Sequence, residues 1–168
     1  AGAAAQDKAA DAGLVEHGTS HLAIVDGDGN AVSMTTSVEQ RVGAHIMAGG
    51  FILNNQLTDF SFRAQKGGKP VANRVEAGKR PRSSMSPTLV LDGDGGFHAA
   101  IGSPGGSRII TFVTQTLIGL LDWNMTMQDA IDMPRTLNRN WVTEMEEKLG
   151  IEETAAALER MGHEVKVQ

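Results

Sequence analysis

Residues 20–25 and 31–38 gather apolar and β-branched side chains into two short runs on either side of Asp26-Gly27-Asp28-Gly29-Asn30. Turn formers between two such runs predict a β-hairpin. Apolar residues 51–53 predict a short strand leading into Asn54-Asn55-Gln56. Segment 61–81 follows neither period; it is basic, with three glycines and two prolines, and reads as a long loop. Residues 88–91 and 97–101 predict a second strand pair around another Asp/Gly turn. From Ser107 to about Asp122 the apolar positions recur with helical spacing, and Ser107 is placed to cap that helix. Residues 127–133 predict a short helix ended by Pro134, and residues 151–161 an amphipathic helix closed by Gly162. Residues 164–167 read as a last strand with nothing local to pair against. The alanine-rich residues 1–12 favour helix on propensity but lack large apolar side chains, so they read as a frayed helix or tail, with 13–18 as a connector.

At 168 residues the length fits one domain of about 150 residues. The absence of cysteine excludes a disulfide framework, a thiol nucleophile and a cysteine-ligated metal. A net charge of −5 argues against a nucleic-acid-binding face. The longest apolar stretch, 109–121, is interrupted by Thr111, Thr114, Gln115 and Thr116, too short and too polar to span a bilayer. No basic segment followed by an apolar one opens the chain. A longer precursor with a signal peptide would be periplasmic or secreted, and one without it cytoplasmic. Glycine is over-represented, at 20 residues against a usual share of about 7%. That excess directs attention to the glycine-rich turns.

The most informative of these is Gly102-Ser103-Pro104-Gly105-Gly106-Ser107-Arg108, where a strand ends and a helix begins. Such a junction aims backbone N–H groups at an anion, either a developing oxyanion or a phosphate. No Gly-Lys-[Ser/Thr] follows, which disfavours the phosphate, and a plain strand-to-helix turn is the alternative. Ser83-Ser84-Met85-Ser86-Pro87 offers hydroxyls for a polar ligand or for strand-edge hydrogen bonds. Asn54-Asn55-Gln56, with Thr58 and Asp59, forms a hydrogen-bonded loop or a polar pocket wall. Asp26, Asp28 and Asn30 have the spacing of a calcium loop, but Ala31 and Ser37 occupy its glycine and glutamate positions, leaving a turn. The histidines show no metal spacing; His17 and His21 straddle Gly18, and His21 reads as a hydrogen-bonded strand residue. Glu144, Glu146, Glu147 and Lys148 read as a solvated face.

Taken in order, several segments resemble the small subunit of γ-glutamyltransferases, within the N-terminal nucleophile hydrolases. They are Gly18-Thr19-Ser20-His21, Leu53-Asn54-Asn55-Gln56, Asp59-Phe60-Ser61, Lys79-Arg80-Pro81, Ser83-Ser84-Met85-Ser86-Pro87-Thr88 and Gly102 to Ile110. The likeness covers roughly residues 13–168. It implies an α+β fold, the αββα sandwich, shared between two parts of one precursor that cuts itself at Gly18–Thr19. Residues 1–18 would then end the large-subunit region. Residues 19–168 would form the small catalytic subunit, with the family's last strands expected beyond Gln168. Thr19 is the implied nucleophile and Ser37 its hydrogen-bonding partner. Gly105 and Gly106 are the implied oxyanion donors. Gln56 and Asp59 would hold the α-amino group of a γ-glutamyl donor, and Ser83 and Ser84 its α-carboxylate. No metal or organic cofactor is implied; the implied partners are the large subunit and a small amide substrate.

Three departures bear on the substrate. Glu39 stands where the family pattern has an asparagine that contacts the glutamyl end. The loop between Asp59 and Lys79 is several residues shorter than a full lid. Ser37-Val38-Glu39 and Asn138-Arg139-Asn140 look more like the acylase branch, which acts on cephalosporin and glutaryl side chains. The sequence therefore leaves open a γ-glutamyl hydrolase or transferase, an acylase of the same mechanism, and an unprocessed homologue acting as a binding module.

Overall fold

The computed structural model describes residues 18–148 and 150–168, which form a mixed α/β arrangement. The alanine-rich opening, the connector before Gly18, and His17 lie outside the described residues. Strands β1 (Thr19–Val25) and β2 (Ala31–Ser37) pair antiparallel, with Val25 opposite Ala31 and Thr19 opposite Ser37. One carboxylate organises the turn between them. Asp26 Oδ1 accepts from the backbone N–H groups of Asp28 and Asn30, and Oδ2 from the Asn30 side chain. Those hydrogen bonds, led by the Asn30 side chain, hold the Asp26 carboxyl below its ordinary range. Its oxygens thus serve the turn, and no metal-binding cluster occurs among the described residues.

The strand period sorts β2 into two faces. Ala31, Ser33, Thr35 and Ser37 are half-buried, whereas Val32 and Met34 are exposed, next to exposed Ile24 of β1. The apolar face of this hairpin is the open one. The inner face is small and polar because it meets backbone: Ser33 Oγ donates to the Ile101 carbonyl at 3.0 Å. Two small hairpins follow, β3 (Met47–Ala48) with β4 (Phe51–Ile52) and β5 (Gln65–Lys66) with β6 (Lys69–Pro70). The second lies inside the segment expected to be irregular. Strands β7 (Thr88–Leu91) and β8 (Phe97–Ile101) then pair antiparallel, as their sequence predicts.

A 3₁₀ turn over Gly106–Arg108 leads into α1 (Ile109–Leu121). The helix begins two residues later than its periodicity suggests, and no side chain caps it. Ile109, 1% exposed, packs with Val113 against Ala99 and Ile101 of β8. Burying such a side chain contributes roughly 1.5–3 kcal/mol. This cluster joins the strand-to-helix turn rigidly to the sheet. The short helix α2 (Met127–Asp132) is capped by Thr126, whose hydroxyl accepts from the Asp129 N–H.

The last third departs most from expectation. Strands β9 (Thr136–Asn138) and β10 (Val142–Met145) form a hairpin, and helix α3 (Ile151–Arg160) carries the chain to β11 (Glu164–Val167). The sheet order is β11-β10-β9, with β11 parallel to β10. The partner of the last strand is therefore found across a helix rather than locally. Met145 is fully buried against Ile151 and Ala155 of α3. In the run expected to be a solvated face, Glu146, Glu147 and Lys148 are exposed, but Glu144 is not. Thr143 and Met145 point inward, and the Glu144 side chain is only 17% exposed.

Candidate active site

A pocket of about 160 Å³ opens at the end of the β1–β2 ladder. It is smaller than the roughly 300–1,000 Å³ of a drug-sized site, and suits a group the size of one amino acid. Thr19 and Ser37 lie on its wall because the hairpin register sets them opposite each other. Their hydroxyl oxygens are 3.0 Å apart. The Ser37 oxygen also accepts from the Glu39 N–H at 2.9 Å, which fixes its position. One residue upstream, the Gly18 carbonyl accepts from the Val38 N–H at 3.1 Å. A Cβ at Gly18 would lie 2.5 Å from the Glu39 carbonyl oxygen, so the backbone approach there requires glycine.

A second wall carries most of the charge. Gln56 opens a 3₁₀ turn, Gln56–Asp59, and its side-chain amide donates to both Glu39 Oε2 at 3.2 Å and Asp59 Oδ2 at 2.5 Å. Asn54 and Asn55 do not line the pocket; they fasten this turn to the exit of β2. Asn54 Oδ1 accepts from the Gln56 N–H, Asn55 Oδ1 from the Gln40 N–H, and the Asn55 N–H donates to the Val38 carbonyl. Of the two readings of that amide cluster, the asparagines are loop and Gln56 is wall. Glu39 sits at φ 73, a left-handed conformation that asparagine adopts more readily than glutamate. Arg82 Nε lies 3.9 Å from Asp59 Oδ1 with an exposed side chain. Two carboxylates bridged by one amide, with a guanidinium near one of them, thus line the same pocket.

Ser83 and Ser84 complete the polar wall. The remaining wall is the strand-to-helix turn, with Gly106, Ser107 and Ile109 on the lining. Gly105 stands just behind it at φ 131 and Gly106 at φ 54, both in the region that favours glycine. A side chain at Gly105 would also meet the Phe112 ring at 3.1 Å. The structure therefore brings Thr19, Ser37, Glu39, Gln56, Asp59, Ser83, Ser84 and Gly106 to one pocket, with Gly18 and Gly105 adjoining it. Sequence reasoning missed Arg82, Met85, Ser107 and Ile109 as lining residues; Arg82 and Met85 are chain neighbours of Ser83 and Ser84, which was the available signal. His21 lies elsewhere. Its Nδ1 is 2.9 Å from Thr35 Oγ1, as a hydrogen-bonded strand histidine should be.

Comparison with known proteins points to one family. The sequence model described as Gamma-glutamyltranspeptidase matches residues 2–168. The chain is 40% identical over 161 residues to the glutathione hydrolase proenzyme of Escherichia coli, covering 89% of this chain and 27% of that protein. It is 38% identical over 167 residues to glutathione hydrolase 2 of Arabidopsis thaliana, covering 89% of this chain and 29% of that protein. The fold is similar to a mutant of Helicobacter pylori gamma-glutamyltranspeptidase, with TM-score 0.74 and 34% identity over 88% of this chain and 84% of the other. The chain spans about a quarter of the length of the curated relatives it matches.

Proposed function

Because the chain belongs to the gamma-glutamyltranspeptidase family, we propose that it carries the catalytic site of a self-processing N-terminal threonine amidohydrolase acting on γ-glutamyl amides such as glutathione. The observation that carries this reading is the 3.0 Å contact between the Thr19 and Ser37 hydroxyls at the mouth of a pocket walled by Gly106. A threonine hydroxyl needs a base to attack an amide. Inside the chain the Thr19 nitrogen is an amide and cannot serve. Cleavage of the Gly18–Thr19 bond would free an α-amine with a reference pKa of about 7.7–8.0, suited to proton transfer near neutral pH.

Self-cleavage then proceeds through the same hydroxyl. Thr19 Oγ1 adds to the Gly18 carbonyl carbon, the Thr19 nitrogen leaves with a proton, and water hydrolyses the resulting ester. The Val38 N–H, already on the Gly18 oxygen, stabilises charge developing there. In turnover, Thr19 Oγ1 attacks the substrate carbonyl while the Gly105 and Gly106 N–H groups hold the oxyanion. The amine leaves, and water or an acceptor amine takes the acyl group from Thr19. Removing one oxyanion donor of this kind typically costs about 10²–10³ in rate.

The charged wall favours the γ-glutamyl reading over the glutaryl one. Glu39 and Asp59, both bound to Gln56, attract an α-ammonium, which a glutaryl group lacks. Arg82, Ser83 and Ser84 suit the α-carboxylate beside it. The exposed apolar face of Ile24, Val32 and Met34 suits burial against the large-subunit segment of the same precursor, completing the αββα sandwich. The test is the full-length precursor, followed by intact mass and by turnover of γ-glutamyl and glutaryl p-nitroanilides. We expect fragments divided between Gly18 and Thr19 and faster release from the γ-glutamyl compound. An uncut precursor that turns over neither would favour a binding module, and preference for the glutaryl compound would establish the acylase reading.

A further inference from the structure

Arg139 reaches the strand-to-helix turn from a distant part of the chain. It sits at the β9–β10 turn, where Asn138 Oδ1 accepts from the Asn140 N–H and Asn140 adopts φ 89. From there one guanidinium nitrogen donates to Ser107 Oγ at 2.7 Å and another to Glu144 Oε1 at 2.8 Å. The other Glu144 oxygen accepts from Arg108 Nε at 3.0 Å and from its terminal nitrogen at 2.8 Å. A single carboxylate therefore ties together the two residues that directly follow Gly105 and Gly106. A guanidinium can only donate, so the Ser107 oxygen must accept and its own hydrogen is left for a group in the pocket it lines.

We propose that Arg139 is a positioning residue: by bridging Ser107 and Glu144 it fixes the turn whose glycine N–H groups face the reacting carbonyl. This rests on the amidohydrolase reading above. A lysine lacks the two guanidinium nitrogens that the planar fork holds at a fixed separation, so it cannot reproduce the two contacts in this geometry. An error of about 1 Å in such a wall costs up to about 10²-fold in rate, while leaving ground-state binding on the opposite wall intact.

The test uses the processed full-length protein and the γ-glutamyl and glutaryl p-nitroanilides, comparing Arg139→Lys, Ser107→Ala and the double variant. We expect each single change to lower kcat about 10- to 100-fold with KM within about threefold of the parent. The double variant should fall no further than the worse single one, because both act on one turn. Arg139→Lys at the parent kcat, or losses that multiply in the double variant, would overturn the proposal. Should Arg139→Lys not accumulate as processed protein, Ser107→Ala leaves both ion pairs in place and decides alone: parental kcat refutes the role. If the parent itself turns over neither anilide, the functional reading fails and takes this inference with it. If the parent is active and the variants match it, only the positioning role fails.

Discussion

Replacing Gly18 with alanine separates self-cleavage from turnover. In the uncut chain a Cβ at this position lies 2.5 Å from the Glu39 carbonyl oxygen and 3.0 Å from that of Gln40, both backbone atoms. Ordinary contact begins near 3.4 Å, so the segment must retreat by about 0.9 Å. Gly18 cannot retreat without disturbing the Val38 N–H on its carbonyl and the position of the bond before Thr19. A displacement of about 1 Å at a reacting centre costs on the order of 10²-fold, so Gly18→Ala should lengthen the half-time of cleavage by about that factor. Once the bond is cut, residue 18 belongs to the other fragment and no longer contacts the nucleophile through a peptide bond. Turnover per cleaved molecule should therefore match the parent. The assay is a time course of intact mass from a freshly purified precursor, followed by anilide turnover normalised to the cleaved fraction. Cleavage at the parental rate would refute the steric argument, and slower turnover by fully cleaved protein would refute the assignment of Gly18 to cleavage alone.

Four other outcomes are expected. Thr19→Ala should abolish both cleavage and turnover; any processing seen by mass spectrometry would place the nucleophile elsewhere. Glu39→Asn should raise KM for the γ-glutamyl anilide about tenfold relative to the glutaryl one, since it removes a charged hydrogen-bond partner from the ammonium end. Its stability should hold, because asparagine suits φ 73. Burial pushes the Glu144 carboxyl up, but hydrogen bonds from Arg139 and Arg108, with their charges, outweigh it and hold the group below its usual range. Its stabilisation is thus complete above the unfolded carboxylate value of about 4.3 and is lost as pH falls through the lower folded value. Urea midpoints of Glu144→Gln should lie below the parent at pH 7 and approach it at pH 3. Gly102→Ala would drive a Cβ against the Cε1 and Nδ1 atoms of His21, so the ring must leave its seat, and the urea midpoint should report a loss of about 1–3 kcal/mol.

The elements legible in the sequence are those whose signals are local. The turn at Asp26 to Asn30 carries its own hydrogen-bond acceptor, and α2 its own cap and its own stop at Pro134. The failures share a cause, dependence on distant partners. Strand β10 is four residues long, and its Glu144 looks solvated until Arg108 and Arg139 arrive from 36 and five residues away. Ser107 looks like a helix cap because hydroxyls commonly cap helices. In the fold its oxygen is engaged by Arg139, 32 residues downstream, and α1 starts without a cap.

The pairing of Thr19 with Ser37, expected from the resemblance alone, follows in the fold from a hairpin that was legible, although the two are 18 residues apart. Once the turn closes Val25 against Ala31, each strand runs six further residues to reach its hydroxyl, and antiparallel pairing brings them level. A slip of one residue would set Thr36 or Val38 opposite Thr19 and send the partner side chain to the other face. The hydrogen bonds around Asp26 therefore do more than shape an exposed loop: they set the register on which the 3.0 Å hydroxyl contact depends. Glu39 and Gln56 inherit the same register, because the Asn55 N–H is bonded to the Val38 carbonyl and the Gln40 N–H to Asn55. Thr19 and the charged wall thus take their spacing from one hairpin, while the glycine turn before α1 is seated by the packing of Ile109 and Val113 on β8.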